Sequence, residues 1–198
     1  MNYPFGDRET FDFRTFYDMM ADLMPDDCRV AEIGVAAGAS AIYMAYKLYS
    51  LGKKFSMYMV DNFEYGFLNQ MKELYENIIK SGLGEFITVV PYDSFKAADF
   101  FNGHSLDFVF IDSSHKYDET RGAIIYWYPK IKDNGYMGGH DFITIPDVHT
   151  AVTELFPEKY KRTDVEEAEE EDFLKTHPTK HNLGVWYLQK KFYFQPKV

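Results

Sequence analysis

Between Cys28 and Asp141 the chain alternates five short apolar runs, each closing on a polar or acidic residue, with four stretches whose apolar residues recur every three or four positions. The runs are Cys28 to Val35, Phe55 to Val60, Phe86 to Val90, Leu106 to Ile111 and Tyr136 to Gly139. Short continuous apolar runs suit strands buried on both faces. Strands separated by helices pair in parallel through right-handed crossovers. The pattern therefore demands an α/β fold built on a parallel sheet.

The helical stretches have recognisable ends. Residues 11–24 place Phe13, Phe16, Tyr17 and Met20 on one face and stop at Pro25. Residues 40–51 end at Gly52 with Lys53 and Lys54 beside it, and 67–80 end at Gly82. A short helix is predicted over 95–101. Over 117–128, Ile124, Trp127, Tyr128 and Ile131 fall at i, i+3, i+4 and i+7, and Pro129 must end or kink the helix. Asp133-Asn134-Gly135 predicts a turn. After the fifth run come a helix over 147–156 and two strands, Lys159 to Val165 and Leu183 to Leu188. These predict an antiparallel pair joined by a long connection. No internal repeat or Pro/Gly/Ser linker divides the chain. The expectation is one domain over 1–198: an N-terminal helical segment (1–25), a core (28–143) and an ending of helix, acidic insertion and strand pair (144–198).

Composition narrows the classes. Of 198 residues, 46% are hydrophobic, enough for a packed core. Cys28 is the one cysteine, which excludes an intramolecular disulfide or a multi-cysteine zinc site and points to a reducing, cytoplasmic setting. The first residues, Met1 to Glu9, show no apolar h-region, and no apolar run approaches the ~20 residues that span a bilayer. The net charge of −10 argues against nucleic-acid backbone binding. Much of that charge sits in 164–172, where Asp164, Glu166, Glu167, Glu169, Glu170, Glu171 and Asp172 fall in nine positions. That run reads as a solvated helix or loop.

In open parallel sheets, ligands bind beyond the carboxyl ends of the strands. Here that edge carries Glu32 and the bend Gly34-Val35-Ala36-Ala37-Gly38-Ala39-Ser40, then Asp61, Asp93-Ser94, Asp112 and His140-Asp141. Gly34 and Gly38 let the backbone turn tightly and a ligand come close. The next helix offers unpaired N–H groups. Asp61 lies about 20 residues further on, where an acid accepts hydrogen bonds from ribose hydroxyls. Plainer roles stand beside these. The glycines suit any tight strand-to-helix turn, Asp112 suits a helix N-cap, and His140 suits a hydrogen-bonded core position. The aromatic N-terminal segment suits core or homodimer packing. His104, His149, His177 and His181 have no partner at useful spacing.

Glu32-x-Gly34-x-x-x-Gly38, followed by Asp61, Asp93-Ser94 and Phe110-Ile111-Asp112, resembles the class I S-adenosylmethionine-dependent methyltransferases over residues 28–143. Ala36 replaces the central glycine of their commonest loop. The form Glu-Ile-Gly-x-x-x-Gly-x-Ser is similar to the small-molecule O-methyltransferases, among them catechol-type enzymes and those acting on macrocin and mycinamicin. The resemblance implies a Rossmann-like fold with a mostly parallel seven-stranded sheet, an antiparallel last strand and helices on both faces. It implies that Glu32 with Gly34, Val35, Gly38, Ala39 and Ser40 holds the amino-acid end of S-adenosyl-L-methionine. Asp61, with Asn62 beside it, would take the ribose, Asp93 and Ser94 the adenine, and Asp112 would border the same site.

A second signature, Asp112-Ser113-Ser114-His115 with Gly138-Gly139-His140-Asp141-Phe142, resembles the metal-dependent sugar O-methyltransferases. It implies His115 as general base, with Asp112 at the catalytic centre, and Asp112, His140 and Asp141 as ligands of a divalent cation such as Mg. Those enzymes carry two acids where this chain has His140-Asp141. One fewer carboxylate weakens a hard-cation site, so the mixture suits a transition metal or none. The expected reaction is O-methylation of a small hydroxylated molecule, a sugar first. The other readings are a nicotinamide-dependent oxidoreductase, whose Gly-x-Gly-x-x-Gly loop is not matched here, and a non-catalytic module that binds S-adenosylmethionine.

Overall fold

The computed structural model describes residues 3–4, 11–64, 69–157, 160–162, 184–191 and 196; the acidic run 164–172 lies outside them. The elements in chain order are α1 (Arg14–Leu23), β1 (Cys28–Ile33), α2 (Ala39–Ser50), β2 (Phe55–Val60), α3 (Gln70–Ser81), β3 (Ile87–Val90), α4 (Ser94–Ala98), β4 (Leu106–Ile111), α5 (Tyr117–Trp127), β5 (Ile131–Gly139), α6 (Pro146–Leu155), β6 (Lys161–Arg162) and β7 (Trp186–Gln189). The strands form one seven-stranded sheet in the order β3-β2-β1-β4-β5-β7-β6. The first five run parallel, and β7 is antiparallel to both its neighbours. This is the Rossmann-like α/β arrangement that the sequence predicts.

Alternation along the strands builds two cores. On one face Val30, Met57, Met59, Phe108 and Phe110 pack under α1, α2 and α3. On the other, Ala31, Ile33, Val60, Val109 and Ile111 pack under α4, α5 and α6. Each large side chain removed from water contributes roughly 1.5–3 kcal/mol. The α1 stripe is core: Phe16 and Tyr17 are each 1% exposed, with ring centroids 5.6 and 5.1 Å from that of Phe110. The α5 stripe is likewise buried at Ile124, Trp127 and Tyr128, and Pro129 falls in a 3-10 turn just after the helix. Cys28 is a packed core residue whose thiol burial pushes up to about 11. Among the described residues no helix is long and apolar enough to cross a membrane.

The fifth strand departs from the sequence reading. Asp133-Asn134-Gly135 does not isolate a short strand; β5 is continuous from Ile131 to Gly139. Its register against β4 shifts between Leu106 and Phe108. Asn134 takes φ +65°, and a Cβ on Gly135 would lie 2.8 Å from the Asp107 carbonyl oxygen. The turn residues thus make a bulge, which the chain after β7 straps down: Asn134 N–H donates to Lys190 O at 2.9 Å and Lys190 N–H to Gly135 O at 2.8 Å.

Candidate active site at the carboxyl edge of the sheet

The bend after β1 is built on positive φ values at Gly34 (+91°), Ala36 (+47°) and Gly38 (+85°). Packing adds a second reason for the glycines beside the expected turn. A Cβ on Gly34 would overlap the Asp112 carbonyl oxygen and lie 2.6 Å from Ser113 Cα. The close approach is by the segment leaving β4. At Gly38 a Cβ would collide with the Leu74 side chain of α3. Both glycines are required by protein packing as well as by φ.

Asp61 closes the bend. Its Oδ2 accepts from Ala36 N–H at 2.9 Å and its Oδ1 from Phe63 N–H at 2.7 Å. The carboxylate left at the end of β2 therefore fixes both its own turn and the neighbouring loop. Beside it opens a cavity of about 530 Å³. Of the residues predicted for a cofactor, Gly34, Asp61, Asn62, Asp93, Ser94 and Asp112 line it, and so does His115. Gln70, Tyr92, Phe95, Ser113, Ser114, Lys116 and Glu119 also line it. Tyr92 and Phe95 flank the predicted Asp93-Ser94 pair and Ser113 to Lys116 fall within or beside the second signature, so proximity in sequence could have found them. Gln70 gives no such signal.

Glu32, Val35, Gly38, Ala39 and Ser40 are not among the residues that line this cavity. Val35 is 3% exposed and Glu32 0%. The Glu32 carboxylate accepts hydrogen bonds from Tyr17 OH at 2.6 Å and from Ser40 Oγ. Burial pushes it up to about 8; the two hydroxyl donors pull the other way, and the Asp112 charge adds to the rise. Glu32 thus braces α1 and the first turn of α2 beneath the bend. The Ala39 carbonyl accepts from Tyr3 OH at 3.2 Å. Asp93 is the N-cap of α4, accepting from Phe95 and Lys96 N–H at 3.1 Å. The Lys96 N–H bond leads in holding its carboxyl below the usual range. Ser94 Oγ accepts from Trp127 Nε1 at 3.0 Å.

The ends of β4 and β5 bring a second group together. Asp112 N–H donates to Ile33 O at 2.8 Å and His140 N–H to Ile111 O at 3.1 Å, so three adjacent strands fix their last residues. Asp112 is not a helix cap, since the N-cap of α5 is Lys116. Donor atoms of Asp112, His115 and Asp141 lie within 4.8 Å of one another. His115 Nε2 is 2.8 Å from Asp141 Oδ2, and the His115 side chain is 56% exposed. Asp141 takes φ +61° and accepts from Thr144 Oγ1 at 3.2 Å. Burial alone would raise the Asp141 carboxyl, but the His140 hydrogen bond and the two histidine charges hold it below its usual value.

His140 sits behind this trio. Its Nε2 is 3.0 Å from Asp12 Oδ1, and its Nδ1 is 3.6 Å from Asp112 Oδ1 and 3.5 Å from Asp141 Oδ1. Burial opposes a charge on the ring, but hydrogen bonds to Asp112, Asp12 and Asp141 outweigh it and push the imidazole up to about 12. The three-residue cluster contains His115 where the sequence reading has His140. Asp12 carries no sequence signal, because it lies far outside the strand-end pattern. Elsewhere, His104 faces Asp133 at 3.5 Å, His149 packs on Phe142, and His177 and His181 lie outside the described residues.

An imidazole with one nitrogen engaged by a carboxylate, exposed on a cavity rim, is placed to exchange a proton. Two carboxylates and an imidazole within 4.8 Å also form a donor set that a divalent cation can use.

The fold is shared with solved proteins, methyltransferases among them. Cofactor-bound Rv0187 from MTB superposes with a TM-score of 0.62 at 15% identity, covering 76% of this chain and 70% of that one. The O-methyltransferase NovP gives 0.56 at 17%, covering 90% and 78%. Precorrin-6y C5,15-methyltransferase from Geobacter metallireducens GS-15 gives 0.58 at 14%, covering 77% and 74%. At these identities the likeness is one of fold. No curated protein sequence matches the chain. Residues 31–142, more than half the chain and spanning β1 to the residue after Asp141, match the methyltransferase domain model, and the chain belongs to that family.

Proposed function

We propose that the protein transfers a methyl group from S-adenosylmethionine to a hydroxyl oxygen of a small acceptor, with a sugar or sugar-containing molecule as the first candidate. The observation that carries this reading is that one cavity is lined at once by Asp61, by Asp112 and by His115. A carboxylate suited to ribose hydroxyls and an imidazole suited to a proton are thus walls of the same space. When bound, S-adenosylmethionine supplies a methyl carbon that bonds to the acceptor oxygen as its bond to sulphur breaks, the electron pair passing to sulphur. The chain's own contribution is to hold and to deprotonate. Asp61 and the Gly34 bend bind the nucleoside, Asp93 and Ser94 border the base, and His115, steadied by Asp141, takes the hydroxyl proton. The acidic balance and the family resemblance support a small-molecule acceptor over a nucleic acid, and buried Cys28 suits a reducing compartment such as the cytoplasm.

The Asp112–His115–Asp141 donor set favours a second arrangement of the same reaction. These three side chains would hold a divalent cation such as Mg, which lowers the acidity threshold of a bound hydroxyl. A cation held by His115 Nε2 would replace its hydrogen bond to Asp141, so through that nitrogen the two arrangements exclude each other.

The test is methyl transfer from radiolabelled S-adenosylmethionine to a panel of sugars and phenols, with and without EDTA. Label in an O-methylated product supports the reading. EDTA inhibition reversed by Mg selects the cation arrangement, and EDTA resistance selects the Asp141–His115 pair. Binding of S-adenosylhomocysteine with no turnover across the panel would favour a non-catalytic module.

A further inference from the structure

The neighbourhood of His140 contains a residue that the strand-end pattern does not supply. The ring is 8% exposed, and a buried imidazole needs partners for both edges. One edge faces the reaction centre, with Nδ1 3.5 Å from Asp141 Oδ1 and 3.6 Å from Asp112 Oδ1. The other is met from the opposite end of the sequence, where Asp12 Oδ1 lies 3.0 Å from Nε2. The chain holds Asp12 there by burying the next residue. Phe13 is 4% exposed, with ring centroids 4.9 Å from Phe110 and 4.9 Å from His140 itself. The carboxylates after β4 and β5 and the entry to α1 therefore hold one ring from two sides.

We infer that Asp12 is a positioning residue of the centre: by accepting from His140 Nε2–H it fixes the ring so that Nδ1 faces both Asp112 and Asp141. Which nitrogen of a histidine carries a proton, and where the ring points, is set by the partner of its other nitrogen. Asp12 thereby acts on the two carboxylates that flank His115, without touching the cavity lining. The importance of that centre rests on the proposed methyl-transfer reading; the geometric claim about Asp12 does not.

The experiment records ring-nitrogen NMR signals of His140 and His115 in the full chain, in the wild type, Asp12→Ala and Asp12→Asn. In the wild type His140 Nε2 is expected to carry a slowly exchanging proton. Asp12→Ala is expected to abolish that slow exchange and to shift the His115 ring signals. Asp12→Asn, which keeps an acceptor oxygen, is expected to restore both. A wild-type His140 without a proton on Nε2, or an Asp12→Ala spectrum with both rings unchanged, would overturn the inference. A structural role confined to the N-terminal segment would leave His115 unmoved. Calorimetry with S-adenosylhomocysteine on the same samples separates the two claims. No binding by the wild type sinks the cofactor reading while the ring signals still decide the role of Asp12.

Discussion

The Asp61 carboxylate accepts a hydrogen bond from the Ala36 backbone N–H at 2.9 Å, so the acid that ends β2 shapes the bend that ends β1. Ala36 stands at φ +47°, a conformation that a non-glycine residue keeps only when its surroundings impose it. Asp61→Ala removes the acceptor and strands two N–H groups, those of Ala36 and Phe63. The expected cost is about 1–3 kcal/mol of stability, read as a lower melting temperature. Affinity for S-adenosylhomocysteine should fall at least about tenfold, since ~1.4 kcal/mol is a factor of ten.

Glu32 predicts a pH dependence with a defined sign. Its carboxyl is raised from 4.5 to about 8, chiefly by burial. The folded state therefore holds a proton that the unfolded state releases near 4.5. The stability this contributes is fully present below pH 4.5 and is lost as pH rises towards 8. Glu32→Gln keeps one acceptor oxygen, offers an amide N–H2 that the other hydroxyl can accept, and cannot ionise. Melting temperatures of wild type and variant should converge at pH 4.5 and diverge by pH 8, with the variant gaining. Parallel profiles across that range would contradict the assignment.

His115 and Asp141, 2.8 Å apart, are the pair proposed to handle the proton. His115→Ala should lower turnover on an accepted substrate by roughly 10²–10⁴-fold, with affinity for S-adenosylhomocysteine changed by less than about threefold. Asp141→Asn should lower turnover less, because the amide still holds the ring. Wild-type rates in both variants would remove these residues from the reaction.

Two glycines with positive φ should respond very differently to alanine. At Gly34 the new methyl group would overlap the Asp112 carbonyl, and the loss should reach about 4 kcal/mol or more, the range reserved for gross steric conflict. At Gly52, φ is +70° and nothing lies within 4 Å of the added Cβ. The cost there should be only the left-handed backbone term, about 1–2 kcal/mol. Denaturant melts of the two variants provide the comparison.

The fold was legible where local chemistry and tertiary demand coincide. Phe55–Val60 and Leu106–Ile111 match the observed strands residue for residue, because each apolar run is bounded by charged or polar neighbours. Asp133-Asn134-Gly135 misled, because the same residue types serve a turn and a bulge, and only pairing with Asp107 and Lys190 decides between them. The site was legible as positions on an edge. Asp61, Asp93, Ser94, Asp112 and His115 meet at one cavity, yet the roles of the glycines and of Glu32 came from what packs against them. Tyr17 and Asp12 were invisible as site residues, since contacts to Glu32 and His140 arise only when α1 folds across the sheet.

The Gly34–Asp61 corner is proposed to bind a nucleoside carrying sulphur. Calorimetric titration of the full chain with S-adenosylhomocysteine, beside NAD as a control, tests it most directly. The expected result is saturable one-to-one binding of S-adenosylhomocysteine, weakened at least about tenfold by Asp61→Ala, and no heat from NAD. Absence of any response to S-adenosylhomocysteine, or saturable binding of NAD in its place, would contradict it.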